Sequence, residues 1–181
     1  MSFDTAILLA LYAIRADGMV QFFTFITQLG STFVIGSIAT AAGLYLLSRK
    51  EIASFIGLCV SVIGTIAVVY PLKELVARAR PDLVYQAFAE DTFAFPSGHA
   101  ALSMALYGFL AYLVWKHLPK TAWRYIAVFV AIAFSALIGF SRMYLGLHYV
   151  SDVLAGYVIG GVFLALGISV SKRLTRHPIW S

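Results

Sequence analysis

The sequence predicts an all-α, polytopic membrane helical bundle of about five transmembrane helices plus an N-terminal interfacial helix. Three observations predict it. The chain is 61% hydrophobic and 12% charged, where a soluble domain is typically about 45–50% apolar and about 25% charged. Its mean hydropathy is +0.90. Its apolar residues gather into runs long enough to cross a hydrocarbon core, which takes roughly 20 helical residues, and the charges fall between those runs. A length of 181 residues points to one domain over residues 1–181. No internal repeat or low-complexity segment interrupts it.

Met1 to Arg15 holds the apolar run Ala6–Ile14. That run is too short to span, so it is read as a helix lying at the interface. It lacks a basic leader and carries Asp4 early, so it is not read as a cleavable signal peptide. Asp17-Gly18 breaks it. Met19 to Ser48 is free of charge for 30 residues, longer than a bilayer core requires. Gln28, Gly30, Ser31 and Thr32 interrupt it, so its first turns lie outside the core or the helix is tilted or kinked. A tight connection at Ser48–Glu51 leads to a second span, Ile52–Leu72. Gly36 and Gly43, then Gly57 and Gly64, suit close helix packing. Lys73–Phe95 is the longest polar stretch. Pro96-Ser97-Gly98-His99 opens a third span reaching Trp115, and Lys116–Lys120 closes it. Tyr125–Ser141 and Val153–Ser171 are the fourth and fifth spans, and Lys172–Arg176 is a basic tail. Short connections make neighbouring helices antiparallel. Trp115, Trp123 and Trp180 sit near span ends, as interfacial anchors do. Cys59 is the single cysteine, so no internal disulfide forms, and its mid-span place reads as packing.

The loops orient the chain. Arg49, Lys50, Lys116, Lys120, Arg124, Lys172, Arg173 and Arg176 fall on one side, against Arg15, Lys73, Arg78, Arg80 and Arg142 on the other. The larger set marks the cytoplasmic side, which places the C-terminus inside and the N-terminus and the polar motifs outside. The net charge of +5 is spread between hydrophobic spans, which suits anionic lipid and not nucleic acid.

Three motifs then share the outer side. In Lys73-x6-Arg80-Pro81, seven residues make nearly two helical turns, so both cations can point one way. Pro81 disfavours helix at Arg80. Lys offers a point charge and Arg a planar fork, a pairing suited to phosphate; a snorkelling basic flank is the plain structural account. Pro96-Ser97-Gly98-His99 opens a helix, whose free N–H groups and positive dipole end make an anion site. Gly98 allows close backbone approach and Ser97 can donate its hydroxyl; an ordinary Ser N-cap is the alternative. In Ser141-Arg142-x5-His148-x3-Asp152, Arg142 adds a guanidinium. His148 and Asp152 are spaced to share a helix face, so the carboxylate can orient the imidazole and support its cationic form. Gly156 and Gly160 continue that face and permit tight packing under it. Three cations, a helix N-terminus, two histidines and a carboxylate make a phosphoryl-transfer kit. A metal site built on the same histidines and Asp152 is disfavoured, because the neighbouring cations would repel the ion.

In order and spacing, these motifs resemble the three signature motifs of the type 2 phosphatidic acid phosphatase (PAP2) family, whose superfamily also contains the vanadium haloperoxidases. The resemblance runs from about Gln28 to Ser171. It implies His148 as nucleophile, Asp152 as its orienter and His99 as general acid. It implies phosphate binding by Lys73, Arg80, Ser97, Gly98 and Arg142. The cationic residues themselves lead to the expectation of no metal and no cofactor. Small bacterial members of the family usually have six spans, of which this chain lacks the first.

The resulting expectation is an integral cell (inner) membrane lipid phosphatase or diphosphatase with an extracytoplasmic site. Its partners would be the bilayer and a lipid phosphate or diphosphate, hydrolysed through a phosphohistidine intermediate. Polyprenyl (undecaprenyl) diphosphate, phosphatidylglycerophosphate, phosphatidate and lipid A phosphate are the substrates the resemblance suggests. The rival readings are a lipid phosphotransferase, a vanadium-dependent haloperoxidase and a non-enzymatic lipid transporter. The motifs specify a phosphate and leave the lipid tail and the oligomeric state open. Glu74, Asp82, Glu90 and Asp91 read as solvated loop charges, Arg78 as a solvated flank or a headgroup contact. His117 and His177 are assigned no chemistry.

Overall fold

Serine hydroxyls begin two of the first three helices of the computed structural model, which describes residues 2–176. Ser2 Oγ accepts from Thr5 N at 3.2 Å and opens α1 (Phe3–Ala13). Ser31 Oγ accepts from Val34 N at 3.4 Å and opens α3 (Thr32–Ser48). Because Ser31 is extended, with ψ 150, it takes the chain out of the preceding helix α2 (Asp17–Gln28). The uncharged run is therefore a helix pair bent by 41°, the kinked form of the first span. His177 and Trp180 lie outside the described residues.

Four further helices follow: α4 (Ile52–Val76), α5 (Gly98–His117), α6 (Ala122–Tyr144) and α7 (Val150–Arg176), with a 3-10 turn at Leu83–Tyr85. Each of the four is long and apolar enough to cross a membrane, and the bent α2–α3 pair makes up to five spans. Large apolar side chains such as Phe33, Phe129, Val158 and Val162 are exposed. A surface of that kind is at home in lipid and costly in water. The chain is thus an integral membrane helical bundle, and no strand occurs among the described residues.

The core lies between α4, α5 and α7. Leu58 and Val62 of α4 meet Leu102, Leu106 and Phe109 of α5, with Ile35 and Leu46 of α3 closing the cluster. Glycine lets the backbones approach. A Cβ on Gly57 would lie 2.6 Å from the Gly167 carbonyl, and one on Gly156 would lie 2.5 Å from the Ser97 carbonyl. A side chain at Gly160 would collide with the Ala101 carbonyl. The Gly156–Gly160 stripe therefore seats α7 directly beneath the start of α5. Gly43 and Gly64 face Phe55 and Phe163 as packing positions do. Gly36 does not: it lies on the same outward side of α3 as the exposed Phe33 and Thr40, and a Cβ there would meet nothing within 4 Å.

Candidate active site

Helix ends and two loops build the site. α4 stops at Val76 because Ala77 adopts a left-handed conformation, φ 46, and its N–H returns to the Lys73 carbonyl. Arg80 is therefore not on the helix with Lys73, as the seven-residue spacing suggested. The left-handed residue turns the chain out before Pro81 is reached. Both cations still arrive at the same place. Lys73 stays at the helix end and donates from Nζ to the Phe93 carbonyl at 2.5 Å. Arg80 reaches in from the loop, donating from Nε to the Thr92 carbonyl at 2.6 Å and from Nη1 to the Leu147 carbonyl at 2.7 Å.

His148 is not on a helix either. α7 starts at Val150, and His148 lies in the connection from α6. Gly146 turns that connection at φ +69, where a side chain would collide with the Tyr85 carbonyl, so glycine is required on both counts. The His148–Asp152 pairing therefore comes from a turn. Asp152, in the first turn of α7, accepts from Tyr149 N through Oδ2 at 2.9 Å and faces back across the loop. Its Oδ2 lies 3.5 Å from His148 Nδ1. The other ring nitrogen, Nε2, is 3.3 Å from Arg80 Nη1. A guanidinium only donates, so Nε2 presents its lone pair and the ring proton sits on Nδ1, toward Asp152.

Burial pushes His148 well below the ordinary histidine range, and the charges of Arg142, Arg80, Lys73 and His99 push it the same way. The imidazole is thus neutral at pH 7.

α5 is joined to this loop by its own backbone, since Ser97 N donates to the Asp152 carbonyl at 2.9 Å. Ser97 is fully buried, yet its side chain does not cap α5. The ordinary N-cap account of this serine is therefore not what the fold uses. Gly98 is the first residue of α5, and a Cβ there would make only ordinary contact with Val69 at 3.7 Å. Packing does not demand glycine at that position. His99 follows in the first turn, partly buried, with its Cβ and Cδ2 against Gly30.

Arg142, at the end of α6, is 1% exposed. It donates from Nη1 to Thr27 Oγ1 at 3.1 Å. Arg142 Nη2 and Arg80 Nη2 then converge on one carboxylate, Glu90, at 2.5 and 2.6 Å. Glu90 is therefore no solvated loop charge, because two buried guanidiniums draw it in. Glu74, Asp82 and Asp91 are exposed as expected. Arg78 is neither a solvated flank nor free for a headgroup: it pairs with Asp152 at 2.6 Å and Asp4 at 2.8 Å. Thr27, Glu90, Thr92, Asp4 and Ser151 carry no spacing signal that would have marked them.

Among the described residues, the buried Ser97 Oγ and Arg142 Nε of this cluster have no hydrogen-bond partner, while His148 Nδ1 faces Asp152 Oδ2 at 3.5 Å. Buried polar atoms are normally satisfied, so a polar ligand is the natural complement of this place.

Comparisons with known proteins place the chain in a family. The family model described as PAP2 superfamily matches residues 54–176. The chain is 33% identical to phosphatidylglycerophosphatase B of Bacillus subtilis, over 97% of this chain and 86% of that protein. It is 37% identical to the lipid A 4'-phosphatase of Bacteroides thetaiotaomicron over 59% of this chain and 48% of that one. The crystal structure of a transmembrane PAP2 type phosphatidylglycerolphosphate phosphatase from Bacillus subtilis superimposes with a TM-score of 0.87 at 28% identity, covering 96% of this chain and 87% of that one. The chain belongs to the PAP2 superfamily.

Proposed function

We propose that this chain, a membrane lipid phosphatase by family, hydrolyses a lipid phosphomonoester through a phosphohistidine, with phosphatidylglycerophosphate as the leading substrate. The observation that carries the mechanism is the convergence of Arg80 and Arg142 on one oxyanion, the Glu90 carboxylate, beside the lone pair of His148. A phosphoryl group in the place of that carboxylate would meet two forked guanidiniums, and Lys73, Ser97 and the start of α5 are proposed to complete its donors. Such donors stabilise charge that grows on phosphoryl oxygens. The similarity to a phosphatidylglycerophosphatase over nearly the whole chain supports the substrate.

The Nε2 lone pair of His148 attacks phosphorus, and the bond from phosphorus to the lipid oxygen breaks. The bound phosphoryl dianion favours the imidazolium form of His99, which gives its proton to that oxygen, and the lipid alcohol leaves. Asp152 balances the positive charge that forms on the His148 ring. Neutral His99 then takes a proton from water, the water oxygen attacks phosphorus, and the phosphorus–nitrogen bond breaks. Orthophosphate leaves and the electron pair returns to His148. The site is proposed to face outward, with the C-terminus cytoplasmic, on the bias of basic residues between the loops.

The test is phosphate release in detergent from a panel of phosphatidylglycerophosphate, phosphatidate, lipid A phosphate and polyprenyl diphosphate, with acid-labile, base-stable label sought on the protein. Fastest turnover on phosphatidylglycerophosphate and label lost in His148→Ala are expected. Faster turnover on a diphosphate would overturn the substrate, and label that survives His148→Ala would overturn the mechanism.

A further inference from the structure

Asp4 and Arg78 belong to none of the three motifs, yet they are bonded directly to one. Arg78 lies just past the left-handed end of α4. Its Nη1 donates to Asp152 Oδ1 at 2.6 Å and to Ser151 Oγ at 2.7 Å, and its Nη2 donates to Asp4 Oδ2 at 2.8 Å. Its guanidinium carbon sits 4.4 Å from the centre of the Tyr149 ring. Asp4, in the first turn of α1, accepts from Ser151 N through Oδ1 at 3.0 Å and from the Ser151 hydroxyl through Oδ2. The other end of α1 is tied to the same region. Arg15 Nη2 donates to the Tyr144 carbonyl at 2.8 Å, and Ala16 N donates to the Tyr144 hydroxyl at 3.1 Å. The N-terminal helix is therefore strapped at both ends across the connection that carries His148.

The charges along this chain of contacts alternate. The Asp152 side chain is 0% exposed, Arg78 30% and Asp4 16%. A carboxylate so buried is held only if paired, and Arg78 is its charged partner on the side away from His148. With Oδ1 held by Arg78 and Oδ2 by Tyr149 N, the plane of the carboxylate is set. Oδ2 is then the oxygen that faces His148 Nδ1. Burial alone would raise the Asp4 carboxyl, but its hydrogen bonds to Arg78 and Ser151 outweigh that and hold it low. Burial likewise opposes the Arg78 charge, and the two carboxylates more than offset it. One guanidinium addresses three acceptors here through two nitrogens, a fork geometry that an ammonium cannot copy.

We propose that Asp4 and Arg78 are positioning residues for the reaction: the N-terminal helix, through Asp4, sets the Arg78 guanidinium that turns Asp152 toward His148. The inference rests on His148 being the nucleophile and deepens that reading. α1 is then part of the site and not only a strip of apolar surface.

The experiment measures kcat and KM for phosphatidylglycerophosphate with the full chain in detergent. Arg78→Gln should lower kcat by about 10–100-fold, the scale on which partners of a functional group act, with KM within about twofold of wild type. Arg78→Lys should recover part of the loss, since it keeps the charge without the fork. Asp4→Asn should lower kcat by less than Arg78→Gln. Added to Arg78→Gln it should cost nothing further, because both act through one contact. Leu46→Ala, in the buried cluster of α3, α4 and α5 that includes no α1 residue, should lower the unfolding temperature and retain kcat. Full activity in Asp4→Asn and Arg78→Gln would overturn the proposal. So would a raised KM at unchanged kcat, which marks a headgroup contact, or a loss in Leu46→Ala equal to that in Asp4→Asn. The His148→Ala control separates the two readings. Turnover surviving there sinks the nucleophile itself, whereas a dead His148→Ala beside a fully active Arg78→Gln sinks only the positioning role.

Discussion

Arg80 Nη1 lies 3.3 Å from His148 Nε2, so a guanidinium faces the lone pair of a neutral, buried imidazole. A phosphoryl group entering between them would find its charge-stabilising cation and its nucleophile on the same side. The mutations of most interest follow from that pairing. His148→Ala is expected to abolish phosphate release. His99→Ala should lower it by about 10²–10⁴-fold, the usual worth of one proton-transfer group. Asp152→Asn should leave the fold and cost activity, because it removes the charge that supports the imidazolium. Steady-state phosphate release by the purified variants checks all three, and near-wild-type release by His148→Ala would refute the assignment.

Glu90 occupies the oxyanion position between Arg80 and Arg142. An incoming phosphate must displace it or share the arginines with it. Glu90→Gln is expected to tighten inhibition by orthophosphate and vanadate several-fold, because the competing charge is gone. Inhibition constants for wild type and variant decide the point. Weaker inhibition in Glu90→Gln would instead mean that the carboxylate holds the two arginines in place for the ligand.

Catalysis is expected to be independent of divalent metal and blocked by vanadate. On the proposed reading, Lys73, Arg80 and Arg142 would together supply the positive charge that Mg²⁺ supplies to other phosphoryl-transfer enzymes, and they would repel a second cation. Asp152 and Glu90 are each already paired with arginine. Five-coordinate vanadate with His148 axial would resemble the transition state and bind more tightly than phosphate. Activity lost to excess EDTA and restored by Mg²⁺, together with indifference to vanadate, would contradict this.

The depressed His148 group makes a signed pH prediction. Its neutral form is favoured in the folded protein by burial and by Arg142, Arg80, Lys73 and His99, with Asp152 as the opposing charge beside it. An unfolded histidine takes its proton near pH 6.5. Below that value the unfolded state binds a proton that the folded state refuses, so stability falls as pH falls, by at most about 1.4 kcal/mol per pH unit. Unfolding temperatures in detergent should drop between about pH 7 and about pH 5.5, and His148→Gln should lose less over that interval. The Asp4 carboxyl, held low, contributes stability that is present above about pH 3.9 and lost as pH falls through its lower folded value, a separate window.

The sidedness rests on eight basic residues against five. A cysteine placed at Asp91, in a background lacking Cys59, should react with an impermeant label in intact cells. Asp91 is exposed and pairs with neither arginine, so a cysteine there is open to the label. Labelling only after the membrane is permeabilised would invert the orientation.

Much of this protein is legible along the chain. Spans announce themselves because lipid tolerates only long apolar helices, and the ends of α4, α5, α6 and α7 fall within a few residues of charges, prolines and tryptophans visible in sequence. The break at Ser31 was foreshadowed by Gln28, Gly30 and Thr32. The glycine stripe of α7 was readable as packing, whereas Gly36 was not distinguishable from Gly43, since spacing says nothing of which side of a helix meets a neighbour. The three motifs were recognisable because each joins residue types that phosphate needs at short range.

What the sequence determined by itself is therefore the membrane class, the run of helices and the chemistry of the candidate residues. All of these follow from local composition and short-range spacing. Only the tertiary structure decided how those residues meet. His148 and Asp152 pair through a turn and not a helix face, because α7 begins at Val150. Arg80 reaches His148 from a loop, because a left-handed Ala77 ends α4 early. Glu90 faces Arg142 across 52 positions, and Asp4 faces Arg78 across 74. Contacts over such separations are set by the packing of whole helices and the fold of the loops between them, and no local pattern of side chains encodes them.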